Sequence, residues 1–114
     1  MDNQNGKFRY QPKRDKYFKA RNSTAVFYNL FCGKCGERVA LYQKDGLGRL
    51  LRLYLDRIFE PEWLSNIQQE KEKINVPTLI CGKCKAVLGV PMVYKPEKRL
   101  AFRLIRGSLR KERI

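Results

Sequence analysis

The sequence predicts one small, mainly β domain of the α+β class, with antiparallel sheet and one short helix. The chain has 114 residues, of which 43% are hydrophobic, and this suffices for one modest core but not two. Short segments of strand-like sequence separated by turn residues outnumber helical patterns. The tetrapeptide CGKC occurs at residues 32–35 and again at 81–84, and the two copies contain all four cysteines.

The first half of the chain predicts an arm followed by strands. Residues 1–21 lack periodicity and predict a basic, extended or flexible arm. TAVFYNLF (24–31) and ERVALYQ (37–43) predict strands on either side of the first CGKC, and KDGLG (44–48) predicts a hairpin turn. RLLRLYLDRIF (49–59) is interpreted as the next strand because it follows that turn. A helix stays open there, since Leu50, Leu53 and Tyr54 also fit a period of 3.6.

The best helix candidate is EPEWLSNIQQEKEK (60–73). Pro61 suits a first helical turn, and acidic residues at the start and lysines at the end complement the helix dipole. The expected inward-facing stripe consists of Trp63, Leu64, Ile67 and Ile74.

The second half repeats the plan of the first. VPTLI (76–80) leads into the second CGKC, AVLGVPMVY (86–94) leaves it, and RLAFRLIRG (99–107) predicts a last strand after the turn KPEK. The tail SLRKERI predicts a helix fragment or a disordered end. The predicted organisation is therefore an arm at 1–21, a zinc-binding β domain at 22–106 and a basic tail at 107–114.

The start of the chain has no apolar leader, and no stretch approaches the roughly 18 apolar residues of a membrane span. We therefore expect an intracellular, soluble, cytoplasmic protein, with the nucleus left open.

The paired cysteines predict a structural metal site. In a reducing compartment two CxxC pairs indicate a metal site or a redox dithiol. Cys32, Cys35, Cys81 and Cys84 supply the four thiolates of a tetrahedral structural zinc site, and iron is the alternative metal.

The repeat indicates how the two motifs cooperate. They are offset by 49 residues with the same order of apolar residues, CGKC and strand, which predicts two β-hairpins that clamp one zinc ion. Gly33 and Gly82 are expected to permit the tight turns in which backbone amides point at the sulfurs, and Lys34 and Lys83 to favour deprotonated thiols. Strand-like sequence after each motif disfavours the redox reading, because no helix dipole is present to activate a thiolate.

Two CxxC knuckles on an antiparallel β frame resemble the zinc-ribbon class. They are particularly similar to the Yippee-type zinc β-fold, which is shared by Rab-binding exchange-factor-like proteins, B-type methionine sulfoxide reductases and the RNA-sensing C-terminal domains of innate immune helicases. The resemblance spans residues 25–106 and implies that the four cysteines are zinc ligands. A reductase of this fold needs a further catalytic cysteine and nearby histidines, and this sequence has neither.

Composition predicts a binding protein, not an enzyme. With no histidine and no cysteine outside the metal site, the chain lacks an ordinary general base near neutral pH, and four ligands would fill the zinc. The net charge is +14, with +5 in residues 1–21 and +6 in residues 95–114. Such basic ends are typical of polyanion binders.

The hypothesis from sequence is a zinc-stabilised RNA-binding module in a ribonucleoprotein such as the ribosome, with structured RNA as its partner. Nonspecific DNA binding and an adaptor for a protein with an acidic surface are the alternatives, and no membrane partner is expected because no basic amphipathic helix or lipidation signal is present. The candidate nucleic-acid contacts are Arg9, Tyr10, Lys13, Arg14, Lys16, Tyr17, Lys19, Arg21, Lys34, Arg52, Lys83, Arg99, Arg103, Arg106, Arg110, Lys111 and Arg113.

Overall fold

Two four-stranded antiparallel sheets form the body of the protein, as seen in a computed structural model that describes residues 9–114. In chain order the strands are β1 (Ala25–Cys32), β2 (Arg38–Asp45), β3 (Arg52–Tyr54), β4 (Ile58–Glu60), β5 (Leu79–Ile80), β6 (Val87–Tyr94), β7 (Arg99–Leu104) and β8 (Leu109–Arg113). The first sheet has the order β4-β2-β1-β8 and the second β3-β7-β6-β5. The predicted mainly β, small α+β class is confirmed. Within residues 9–114 no helix is long and apolar enough to cross a bilayer.

One hydrophobic core joins the two sheets. Leu30 and Tyr42 of the first sheet belong to the same buried cluster as Leu53, Leu88 and Phe102 of the second. Strand alternation explains the arrangement, because in each strand every second side chain points to the same face. The two knuckles lie in the turns of the β1–β2 and β5–β6 hairpins, as the sequence predicted.

The segment after β2 differs from the predicted hairpin. Residues 46–51 lead from β2 into the other sheet, where β3 pairs with β7. A 3₁₀ turn at Leu55–Arg57 then bends the chain back, and β4 pairs with β2. The prediction of one strand over 49–59 is wrong because Leu55 and Ile58 are buried on either side of this bend, and a continuous strand could not place both in the shared core.

The helix that follows is shorter than predicted. Helix α2 spans Glu62–Ser65 and continues as a 3₁₀ turn at Asn66–Gln69. Leu64 is buried, whereas Trp63 is 56% exposed and Ile74 is 86% exposed. The expected inward-facing stripe is therefore wrong for Trp63 and Ile74, because the helix ends before its apolar residues can repeat on one face.

Residues 9–21 pack on the body, and the remainder of the predicted arm, residues 1–8, lies outside the described residues. Helix α1 (Lys16–Ala20) begins at Asp15, whose carboxylate accepts hydrogen bonds from the amides of Tyr17 and Phe18. Such a cap satisfies amides that the helix itself leaves free. The expectation of an extended segment is thus wrong for residues 16–20.

The C-terminal residues form a strand. β8 pairs antiparallel with β1, with Lys111 opposite Leu30 and Arg113 opposite Tyr28. The tail is therefore neither a helix fragment nor irregular, because β1 offers an unpaired edge whose backbone groups β8 satisfies. The division of the chain at residues 21 and 106 stays a prediction.

Candidate metal centre and basic surface

The four cysteines converge at one end of the molecule, where the two sheets meet. Cys32 ends β1 in the first sheet, and Cys81 follows β5 in the second. The sulfur atoms of all four cysteines lie within 4.8 Å of one another. Cys32 Sγ is 3.7 Å from Cys84 Sγ, and Cys35 Sγ is 3.5 Å from Cys81 Sγ. The closest contacts thus join one knuckle to the other.

Both knuckles have the same backbone geometry. In the first, the Cys32 amide donates to the Glu37 carbonyl and the Gly36 amide donates back to the Cys32 carbonyl, at 2.8 and 2.9 Å. In the second, Cys81 donates to Ala86 at 2.9 Å and Lys85 to Cys81 at 3.0 Å. Each hydrogen bond has its counterpart 49 residues later, so the predicted internal symmetry extends to the backbone.

The residue that needs left-handed backbone follows the second cysteine of each knuckle. Gly36 has a φ of 81° and Lys85 a φ of 66°. Gly33 and Gly82, to which the sequence analysis assigned the tight turn, have no such positive φ. That assignment is wrong for both glycines, and at position 85 a lysine adopts the conformation that favours glycine.

Gly33 has a different role, because the start of β8 approaches it closely. Its amide donates to the Ser108 carbonyl at 2.7 Å, and a Cβ at this position would lie 2.7 Å from the Gly107 carbonyl oxygen. At Gly82 a Cβ would meet no atom of residues 9–114 within 4 Å. The first knuckle is therefore braced by the C-terminal segment and the second is open.

Backbone amides favour the thiolate form of the first cysteine in each knuckle. The Cys84 amide, 3.5 Å from Cys81 Sγ, is the main cause that lowers the pKa of Cys81 to about 6. The Cys35 and Lys34 amides lower the pKa of Cys32 in the same way. For Cys35 the Glu37 amide acts in that direction too, but burial and hydrogen bonds to the other thiols raise its pKa to about 11. The expectation that backbone amides of the turns point at the sulfurs is thus confirmed, and these amides, not the lysine ammonium groups, are the leading cause of the lowered pKa values.

The residues fit one zinc ion. Four thiolates are the donor set of closed structural zinc sites, and Zn–S bonds of 2.3 Å in a tetrahedron place the sulfurs about 3.8 Å apart. The sulfur contacts of 3.5 and 3.7 Å lie just below that separation, and all four sulfurs lie within 4.8 Å of one another. Cys32, Cys35, Cys81 and Cys84 form a single tetra-cysteine zinc site. A zinc ion bound by these four thiolates would cross-link the first sheet to the second.

No family model matches the chain, and neither a curated protein nor a solved structure matches it.

Several predicted nucleic-acid contacts are occupied by the protein itself. Arg9 and the Tyr10 hydroxyl donate to Glu60, and Arg21 forms an ion pair with Glu97 at 2.9 Å. The Lys13 ammonium donates to the Asp56 carbonyl and to Gln68.

Arg99 is held most firmly. Its side chain is 4% exposed, is ion-paired with Asp56 and Glu97, and lies between the rings of Tyr17 and Tyr54 at 4.0 and 3.7 Å from their centroids. This residue serves the packing of α1 on the second sheet.

Other predicted contacts remain open to solvent. On the arm these are Arg14, Lys16 and Lys19, and at the knuckles Lys34 and Lys83. Arg103, Arg106, Arg110, Lys111 and Arg113 are exposed near the C-terminus, and Arg52 is half-buried.

Two adjoining grooves gather part of this second group. The first has a volume of about 370 Å³ and includes Arg52, and the second has about 550 Å³ and includes Arg106, Arg110 and Lys111. Both grooves share Arg49, Leu50 and Leu51. Sequence reasoning missed Arg49, because a cation beside a turn carries no local signal that it lines a groove. We call Arg49, Arg52, Arg103, Arg106, Arg110 and Lys111 the basic surface.

Proposed function

We propose that this protein is a zinc-stabilised RNA-binding module that contacts RNA through the basic surface. The observation that carries the proposal is the cross-strand pair Arg52 and Arg103, which lie directly opposite each other in the β3–β7 ladder. Like charges at such positions are destabilising. A phosphate group between or above the two guanidinium groups would remove that repulsion.

Among the described residues, the cations of the basic surface lack close acidic partners, unlike the arginines that pair with the protein's own carboxylates. Arg52 donates to the Tyr54 hydroxyl and lies 4.4 Å from the Tyr94 ring centroid, but neither it nor Arg103 has a carboxylate partner within residues 9–114. The same holds for Arg49, Arg106 and Lys111, and Arg110 reaches Glu112 only at 3.9 Å. By contrast Arg9, Arg21, Arg57 and Arg99 are all paired at 2.6–3.0 Å.

RNA phosphates supply the missing negative charge, and counterion release supplies the free energy. Planar arginines and the half-buried Tyr94 beside Arg52 favour RNA over a partner recognised by charge alone, since both can stack on exposed bases. The pattern of two CxxC knuckles on antiparallel strands, which resembles the Yippee-type fold with its RNA-sensing helicase domains, points in the same direction. We further propose that the protein acts without catalysis, in the cytoplasm, as part of a ribonucleoprotein.

Fluorescence anisotropy of labelled RNA tests the proposal. Zinc-loaded protein is titrated against a structured RNA, a single-stranded RNA and a DNA duplex of equal length, from low to physiological salt. RNA binding should survive at physiological salt, and log affinity should fall with log salt by about 0.7–0.9 per phosphate contact. The variant R52Q/R103Q loses up to two phosphate contacts, so the slope of log affinity against log salt should become shallower by up to about 1.4–1.8.

A matched variant removes the same charge elsewhere. Lys71 and Lys73 are exposed after α2 and line neither groove. K71Q/K73Q should leave RNA affinity within about twofold of the unmodified protein. Equal losses in both variants, or equal binding of all three nucleic acids that vanishes near physiological salt, would contradict the proposal and favour an adaptor for an acidic protein.

A further inference from the structure

The larger groove lies between the edges of the two sheets. β3 is an edge strand of the second sheet and β8 an edge strand of the first. Residues 105–108 cross from β7 to β8 across the gap. The Leu104 amide donates to the Leu51 carbonyl at 3.3 Å, and the Ile105 amide donates to the Leu88 carbonyl at 2.9 Å. The backbone of the crossing is thus fixed, and the groove is a formed feature of the fold.

The groove has an aliphatic floor and a cationic rim. Leu50, Leu104 and Leu109 pack against the core and present their outer surface to the groove. Leu51 and Ile105 leave 53% and 44% of their surface exposed. Four cations complete the lining, and no carboxylate is among the described residues that line it. These cations are Arg49, Arg106, Arg110 and Lys111.

This combination suits a ligand that is flat and apolar in one part and multiply anionic in another. An unpaired nucleotide has both properties, because its base offers two apolar faces and its flanking phosphates are negative. The volume of about 550 Å³ falls in the range of small-ligand sites, roughly 300–1,000 Å³. Bases inside a duplex are stacked and cannot reach such a floor.

We propose that this groove takes one unpaired nucleotide of the bound RNA, with the base against Leu51 and Ile105 and the flanking phosphates on the arginine rim. The inference rests on the proposed RNA-binding function and adds the kind of RNA element that is recognised. Arg110, which lies 5.2 Å from the Phe31 ring centroid, is held at the rim by that contact. The protein then prefers RNA with a bulge or loop over a continuous duplex.

A set of three RNA hairpins tests the inference. They are identical except that one carries a single bulged uridine, the second an abasic bulge at the same position, and the third no bulge. Anisotropy titrations should give an affinity for the uridine bulge about fivefold or more above that for the abasic bulge, the gain expected when a modest apolar area of the base is buried on the aliphatic floor. The two bulged RNAs share the same phosphates, so the difference reports the base.

Two variants locate the effect. L51S/I105S removes apolar surface without changing the charge, and both residues are exposed enough for the fold to persist. It should abolish the preference for uridine and leave binding of the fully paired hairpin unchanged. The control L47S alters a residue that is 96% exposed and lines only the smaller groove, and it should keep the preference.

The outcomes separate the two proposals. Tight binding of all three hairpins with no preference for the base would overturn the groove inference and leave RNA binding standing. A preference that persists in L51S/I105S would also overturn it. Failure of every hairpin to bind at physiological salt would overturn the proposed function itself.

Discussion

Arg57 Nε donates a hydrogen bond of 2.8 Å to Asp45 Oδ2, and the two side chains are 1% and 4% exposed. The other two nitrogens of the same guanidinium group donate to Asp15 at 2.7 and 3.0 Å. Arg57 therefore ties the segment before α1 to the end of β2. A buried charge is tolerated only when it is paired and hydrogen-bonded, so these three residues form one unit.

Removal of Arg57 should be strongly destabilising. R57A leaves the buried Asp45 carboxylate without its cationic partner and with only the Gln43 side-chain amide donating to it at 2.7 Å. Loss of one member of a buried pair costs about 3–5 kcal/mol. The control R38A removes an arginine that is 43% exposed and paired with Glu60, and it should cost about 1 kcal/mol or less. Urea denaturation measures both free energies of unfolding. A cost below about 1 kcal/mol for R57A would show that Asp45 finds other partners or water.

Acid should destabilise the protein through Asp15. The Arg57 guanidinium is the main cause that holds the pKa of Asp15 well below its ordinary value. Because the folded pKa is the lower one, the contribution is complete above the unfolded pKa of about 4 and is lost as pH falls below it.

The variant D15N isolates this contribution. It should lower the free energy of unfolding at pH 7 and show a smaller further loss between pH 5 and pH 3 than the unmodified protein. Glu60, whose pKa is lowered chiefly by the Tyr10 hydroxyl, keeps part of the acid sensitivity in both proteins. Identical pH profiles would mean that Asp15 is not paired with Arg57 in solution.

The glycines of the two knuckles should respond differently to the same substitution. In G33A the new Cβ would lie 2.7 Å from the Gly107 carbonyl oxygen, so the start of β8 must move and the hydrogen bond to Ser108 weakens. G82A places a Cβ in open space. We expect a destabilisation of about 1–3 kcal/mol for G33A, as for overpacking, and a change within about 0.5 kcal/mol for G82A. Thermal unfolding compares the pair, and equal effects would contradict the close approach of β8.

A charge reversal at position 103 should stabilise the fold and impair binding. R103E places a carboxylate opposite Arg52, and an opposite-charge cross-strand pair contributes roughly 0.2–1 kcal/mol. The gain should shrink at high salt, because both side chains are accessible to solvent. RNA affinity should fall in the same variant. Loss of stability together with unchanged RNA binding would contradict the assignment of the Arg52–Arg103 pair to the RNA interface.

The parts of the fold that the sequence predicted are those fixed by local pattern. The knuckles and their hairpins follow from Cys32, Cys35 and the strands on either side, since the turn and both strands lie within some 20 residues. The bend at Leu55–Arg57 was missed because strand alternation and a short 3₁₀ turn give similar apolar patterns over so few residues.

Pairings between segments that lie far apart in the chain leave no such pattern in the sequence. The β8 residues are mostly charged and join β1 through backbone hydrogen bonds, which any side chain permits. Residues 9–21 dock through polar contacts, such as the reciprocal hydrogen bonds of the Gln43 side chain with the Lys13 backbone. Hydrophobic periodicity cannot report either kind of contact.

Of the candidate sites, the cysteine cluster was fully predictable from spacing and donor type. The basic surface was predictable only in part, because charge counts do not separate Arg99, which is buried and paired, from Arg103, which is exposed and has no carboxylate partner among the described residues. Only the three-dimensional arrangement makes that distinction.

One zinc ion joins the two sheets through Cys32, Cys35, Cys81 and Cys84. Native mass spectrometry with elemental analysis tests this claim most directly, on the unmodified protein and on C35S and C84S, which remove one ligand from each knuckle. We expect one zinc per chain, no iron, and a loss of zinc and of cooperative unfolding in both variants, because a structural zinc contributes on the order of 10–16 kcal/mol of apparent binding free energy. A fully folded protein without metal, or zinc retained by either variant with unchanged stability, would contradict the claim.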